Sequence, residues 1–253
     1  MGEGNIKLSW SEQTAVVTLA RPQANAMNME MLDELTGVFM SLASEDHVRA
    51  VVLTGSGWAF SAGLDLKTVP GLDQAGQEAL LLVLNRCFYA VYSAPFPVVC
   101  AINGHAIAGG MVLALCGDWR IAADTALQVG LSEVRVGIPY PIAAIEVVRA
   151  ELQANLARRM VLFGDNLSCS QAVEVGLFDE VVSVENLMKS ALAKAAKAGV
   201  LPRAGFNKIK YQLRRDAMAR IEAAIAGEEP LYGNWLNFET REAANEFLDR
   251  KGR

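Results

Sequence analysis

Two glycine-bearing turns stand out for residue types and spacing that could do chemistry. The first is Ala59-Phe60-Ser61-Ala62-Gly63-Leu64-Asp65-Leu66-Lys67, just after an apolar segment at 50–54. The second is Ile102-Asn103-Gly104-His105-Ala106-Ile107-Ala108-Gly109-Gly110-Met111, which leads into a short apolar run. Glycines at a helix N-terminus expose backbone N–H groups that have no partner inside the helix. Such groups stabilise a negative oxygen, helped by the helix dipole. Two turns that aim one N–H each at a common point would form an oxyanion hole. The plainer reading is that these glycines only permit turns. The residues by themselves leave both readings open.

Other catalytic equipment is scarce. The 253-residue chain has two histidines, His47 and His105, so an HExxH zinc helix is excluded and a Ser-His-Asp triad has few candidates. Cys87, Cys100, Cys116 and Cys169 form no CxxC pair. That spacing argues against zinc or redox chemistry and fits buried thiols in a reducing cytosol. No GxxxxGK[ST] loop is present, and Phe60 stands where a GxGxxG reading from Gly55 needs its third glycine. A net charge of −5 leaves no basic surplus for nucleic acid. No metal site is expected.

These turns need a scaffold, and the pattern around them supplies one. Thr14–Leu19 reads as a strand and 50–54 as a strand buried on both faces. Asn28 caps a helix through Leu42, whose Leu32, Leu35, Phe39 and Leu42 share a face. A helix over 73–92 stops before Pro95 and Pro97. Strand Val98–Ile102, a turn at Asn103-Gly104, a helix over 109–116 and strands over 119–122 and 126–129 follow. Apolar strands thus begin near 14, 50 and 98, each followed by a helix, which suggests stacked β-β-α turns around one core. From about 141 the pattern turns helical, over 142–150, 155–163, 170–175, 185–198, 203–226 and 239–250, with a brief strand at Val181-Val182. Ser168 or Ser170 caps the third of these helices.

Apolar residues make up 52% of the chain. The most apolar stretch, 97–116, approaches the length of a bilayer span. Asn103, Gly104, His105, Gly109 and Gly110 near its middle argue against a lipid-facing helix. The first residues, Met-Gly-Glu-Gly-Asn-Ile-Lys, show no apolar signal segment. A soluble, cytoplasmic protein without membrane partners is expected.

The ordered stretches AFSAGLDLK (59–67), PVVCAINGHAIAGGMVLALCGDWRIA (97–122) and GLSEVRVGI (130–138) resemble the crotonase superfamily of enoyl-CoA hydratases and isomerases. RPQANAMN (21–28) is similar to the family's first coenzyme-contacting loop, one residue short, and AVEVGLFDEVV (172–182) also fits. The resemblance covers nearly the whole chain. It implies an α/β fold, the ClpP/crotonase-like spiral of β-β-α turns with a C-terminal helical trimerisation region. Residues 1–198 would form the acyl-CoA-binding, catalytic core. Residues 199–253 would serve oligomerisation and pocket closure. The implied substrate is an acyl-CoA thioester, so coenzyme A arrives with the substrate and no cofactor is bound permanently. A homotrimer or a hexamer built as a dimer of trimers is the implied assembly.

The resemblance also implies roles by position. The N–H groups of Leu64 and Gly109 would hold the thioester oxygen. Ala62, Asp65, Leu66 and Lys67, with Ala24 from the first loop, would cradle coenzyme A. Lys67 would meet a phosphate, or is simply a solvated lysine. Gly110, Val112 and Tyr140 are assigned to the substrate side; Tyr140 would line the acyl pocket or assist polar chemistry, or only pack. His105 is assigned a structural role. Hydratases carry two glutamates, and the first position is Val112 here, while the second, Glu133, is retained. One carboxylate can move a proton between C4 and C2 of an acyl chain, which is 3-enoyl to 2-enoyl isomerisation. The alternatives are hydration, thioester hydrolysis, decarboxylation, or an idle acyl-CoA-binding protein. Many relatives carry an aromatic residue and a lysine beyond the point where this chain ends, so no coenzyme contact is assigned to the tail. Phe206, Trp235 and Phe238 are expected to pack the tail or a subunit contact.

Overall fold

A computed structural model describes residues 4–228 together with Trp235, Glu242 and Glu246. Phe238 and all of the expected helix over 239–250 except Glu242 and Glu246 lie outside the described residues. Three β-β-α turns build the scaffold. The first has β3 (Ala50–Gly55), β4 (Ala59–Ser61) and α2 (Gln74–Tyr92). The second has β5 (Val98–Ile102), β6 (His105–Ile107) and α3 (Gly109–Leu115). The third has β7 (Trp119–Ala123), β8 (Gln128–Gly130) and α4 (Ile142–Glu151). The first strand of each turn joins one six-stranded sheet, and the second joins a four-stranded sheet. The pairings β3 with β5, β5 with β7, β4 with β6, and β6 with β8 are all parallel. This is the expected spiral.

The large sheet is completed by β1 (Ile6–Ser11), antiparallel to β2 (Thr14–Leu19), which is parallel to β3, and by β10 (Glu180–Val182) beside β7. The small sheet ends with β9 (Asn166–Ser168), antiparallel to β8. The strands alternate, as two covered faces require. Val51, Leu53, Val98, Cys100 and Ile102 face the main core, under α2 and α1 (Met29–Ser44). Ala50, Val52, Val99 and Ala101 pack on Leu187, Ala191 and Ala195 of α7 (Leu187–Gly199). The small residues on α7 let it lie close to the sheet.

Local signals account for the ends of the helices. The Asn28 side chain accepts from the Met31 N–H at 3.0 Å and caps α1. Between the two serines considered as cap for α6 (Cys169–Glu174), Ser168 takes the position, in a capping box with Gln171. α5 (Ala154–Phe163) follows α4, and α8 (Arg203–Ala226) packs along α4 and α2. Arg214 of α8 is buried and paired with Asp118 and Glu151, both at 3.1 Å, and Lys210 meets Asp118 at 2.9 Å. Paired this way, the buried charges fix α8 against the start of β7. Among the described residues, no helix is long and apolar enough to cross a membrane.

Candidate active site

The two glycine turns meet. Gly63 has φ +82°, and a Cβ there would sit 2.7 Å from the Ile107 carbonyl oxygen and 3.1 Å from the Gly109 nitrogen. A Cβ on Gly110 would collide with the Ser61 carbonyl. Both positions therefore require glycine: one for its left-handed backbone, the other for backbone-to-backbone approach. Gly109 opens α3, so its N–H has no intrahelical partner. Leu64 forms a bridge with Met27 that uses Gly63 O and Asp65 N, which leaves the Leu64 N–H out. Among the described residues neither amide has an acceptor.

Hydrogen bonds hold the backbone beside these amides in a strained conformation. Ala108, the residue before α3, has φ +53° and ψ −128°, a conformation costly for any residue with a Cβ. Its N–H is fixed to Gly130 O at 2.7 Å. In the first loop Gln23, Ala24 and Asn25 are all left-handed. Asn25 is wholly buried and directs its amide to the carbonyls of Ser56, Ala59 and Phe60 at 2.9–3.1 Å, while its own carbonyl accepts from Ser61 Oγ. Ala108→Gly is expected to raise stability by about 1 kcal/mol, the released strain less the entropy cost of glycine. Urea unfolding measures it; a loss of stability would show that the backbone at 108 is unstrained.

A cavity of about 340 Å³ opens in front of the two amides. Leu64 and Gly109 line it, together with Glu133 of a short 3-10 turn, Glu133–Val136. Burial pushes the Glu133 carboxyl up to about 7, although a hydrogen bond from Tyr140 Oη to Oε2, at 2.7 Å, pulls the other way. Such a group exchanges protons readily near neutral pH. Asp65 also lines the cavity, but Arg21 binds it at 2.7 Å. The four cysteines are free and buried, and burial pushes the thiols of Cys87 and Cys100 up to about 12. They offer no thiolate at neutral pH.

Ala62, Asp65, Leu66 and Lys67 line the same cavity, with Arg21 and Gln23 from the first loop. Lys67 Nζ donates to Gln23 Oε1 at 3.2 Å. Ala24, Gly110, Val112 and Tyr140 do not line it. The Ala24 carbonyl instead accepts from the Ala62 N–H at 2.9 Å. Val112 is wholly buried in the main core. His105 lies at the sheet, where Nδ1 accepts from the Gln128 N–H at 3.0 Å.

Residues matched by a family model described as enoyl-CoA hydratase/isomerase run from 10 to 252. The chain belongs to the enoyl-CoA hydratase/isomerase family. The short-chain-enoyl-CoA hydratase of Clostridium acetobutylicum is 28% identical over 98% of this chain and 95% of its own. Human mitochondrial delta3-delta2-enoyl-CoA isomerase superposes with a TM-score of 0.92 at 25% identity, over 98% of each chain. A Mycobacterium tuberculosis protein, described as an enoyl-CoA isomerase with one solved structure and as a probable enoyl-CoA hydratase with another, gives 0.81 at 30% identity in the first, over 88% of this chain and 96% of its own.

The apolar end of the cavity in this hydratase/isomerase is built from side chains that the sequence did not single out for it. It is formed by Leu84 and Phe88 of α2, Ile138, Pro141, Ala144 of α4 and Trp235. Trp235, expected in the tail packing or at a subunit contact, is buried in this wall and donates its indole N–H to Pro139 O at 2.7 Å. Its signal in the sequence was a lone tryptophan in a polar tail. Phe206 lies elsewhere, half-buried beside Lys210.

Proposed function

We propose that this enzyme moves the double bond of a 3-enoyl-CoA to the 2-position, with Glu133 as the single acid/base. The observation that carries the reading is a cavity with one carboxylate free to handle protons. Asp65 is committed to Arg21, and the position of a second hydratase glutamate is a buried valine, Val112. The Glu133 carboxylate takes a proton from C2. The electron pair of that C–H bond forms the enolate, and its negative thioester oxygen lies between the N–H groups of Leu64 and Gly109. The double bond shifts to C2–C3 as protonated Glu133 returns the proton to C4. No water enters the balance. The apolar wall from Leu84 to Trp235 takes the acyl chain.

Arg21, Gln23 and the 62–67 stretch support the reading of the cavity mouth as the coenzyme A cradle, with Lys67 assigned to a phosphate. The region from 199 onward is assigned to pocket closure and to a homotrimer or hexamer. Trp235 in the cavity wall supports the first role. The exposed Ile209 and Leu213 of α8, with Leu201 just before it, support the second.

The test sets a 3-enoyl-CoA against crotonyl-CoA. Isomerisation is expected to exceed hydration by at least about tenfold, since Val112 cannot help hold a water. Comparable rates would make hydration the reaction, as the Clostridium relative is named. Coenzyme A binding without turnover of either would leave a binding protein. Because the base works ionised, kcat/KM is expected to rise with pH through an apparent pKa near 7, set by burial of Glu133. A profile flat from pH 5 to 8 would contradict this.

A further inference from the structure

Tyr140 is outside the cavity lining, yet its hydroxyl donates to Glu133 Oε2 at 2.7 Å. The segment that carries it is braced from several sides. Pro139 and Pro141 flank it, and each proline ring fixes its own φ. Trp235 Nε1 holds the Pro139 carbonyl at 2.7 Å. Asn85 of α2, wholly buried, accepts from the Ala143 N–H at 2.9 Å and so caps α4, whose own sequence offers no capping side chain. One long-range contact and two rings thus hold residues 139–141, a second contact fixes the start of α4 just beyond them, and the middle residue of the three reaches the carboxylate.

We propose that Tyr140 is a positioning residue for Glu133: it holds Oε2, so that Oε1 alone carries the proton between C2 and C4. This inference rests on Glu133 being the base. A single carboxylate that both takes and returns a proton must keep one oxygen aimed at two neighbouring carbons. A free glutamate side chain turns about three bonds; a hydrogen bond on the far oxygen fixes it. The phenol donates and so favours the ionised form, in opposition to burial. Arg21, Asp65 and Lys67 line the same cavity, and Arg135 follows on the same 3-10 turn. Tyr140 is the group among them that touches the carboxyl.

The experiment compares wild type, Tyr140→Phe and Trp235→Phe, with Glu133→Gln to assign the Glu133 carboxyl carbon signal by NMR. In Tyr140→Phe the Glu133 titration is expected to move up by about one pH unit, with the acid limb of kcat/KM following and KM little changed. Trp235→Phe keeps an aromatic wall but loses the brace, and is expected to shift both in the same direction by less. A Glu133 titration unmoved in Tyr140→Phe overturns the proposal. So does a fall in kcat with both titrations unmoved, which would make Tyr140 a packing residue. A carboxyl titration that moves while the rate profile stays put overturns Glu133 as the base, and that failure is recognisably separate.

Discussion

Glu133→Gln is expected to lower kcat for 3-enoyl-CoA isomerisation by about 10²–10⁴-fold with little change in KM. Glutamine keeps the size and can still accept the Tyr140 hydrogen bond, so the loss isolates proton transfer. The same variant carries a stability signature. Folding raises the Glu133 pKa from 4.5 to about 7, so the protonated acid is the form that the fold favours. The contribution of this group to stability is therefore complete below about pH 4.5 and is lost as pH rises through 7. At pH 8 Glu133→Gln is expected to be about 1–3 kcal/mol more stable than wild type, allowing for the part of Glu133 open to the cavity. Near pH 4 the two should unfold alike. Denaturant unfolding at both pH values checks this, and equal stability at pH 8 would mean that the carboxylate carries no burial cost.

The second large effect comes from the Gly109 amide. Its N–H can be removed with proline, because proline is tolerated at the first position of a helix. The control is Gly109→Ala, which adds a Cβ but keeps the N–H. That Cβ would meet the Met27 Cε at 2.6 Å, the end of a flexible side chain that can move. Both substitutions are best made with Ala108→Gly, so that the residue before proline keeps its left-handed backbone without strain. The proline variant is expected to have kcat about 10²–10³-fold below the alanine variant, roughly 2.7–4 kcal/mol of barrier. Thermal unfolding and coenzyme A binding report whether both variants fold. Folded variants with equal kcat would remove Gly109 from the proposed oxyanion hole.

Much of the scaffold was legible because it follows local rules. Asn28 and Ser168 announce their helices, and the valine-rich segments at 50–54 and 98–102 announce strands covered on both faces. The glycine turns were legible as residues needing unusual backbone. The strands hidden inside them were not. β4 and β6 are three residues each and pair with one another about 45 positions apart in the chain, so neither shows a period of its own. β1 escaped for another reason: it is exposed along most of its length and carries no buried alternation.

The site divides in the same way. Leu64, Gly109 and Glu133 sit in ordered stretches that resemble a family, and the chain brings them to one cavity. Val112, read as part of the acyl pocket, lies in the core instead, because α3 presents its first residue to the cavity and turns its next ones inward. The Trp235–Pro139 and Asn85–Ala143 contacts join positions 96 and 58 residues apart, and nothing local marks either pair. Tertiary packing, not pattern, selects Trp235 for the wall.

One carboxylate moving one proton is the central claim, and an isotope tests it directly. A 3-enoyl-CoA carrying deuterium at both C2 positions is turned over in ordinary water, and the 2-enoyl product is analysed at C4. A part of the deuterium removed from C2 is expected at C4, since Glu133 returns what it takes before the solvent exchanges it all. Product with only solvent hydrogen at C4, or a 3-hydroxyacyl product formed equally fast, would contradict the account.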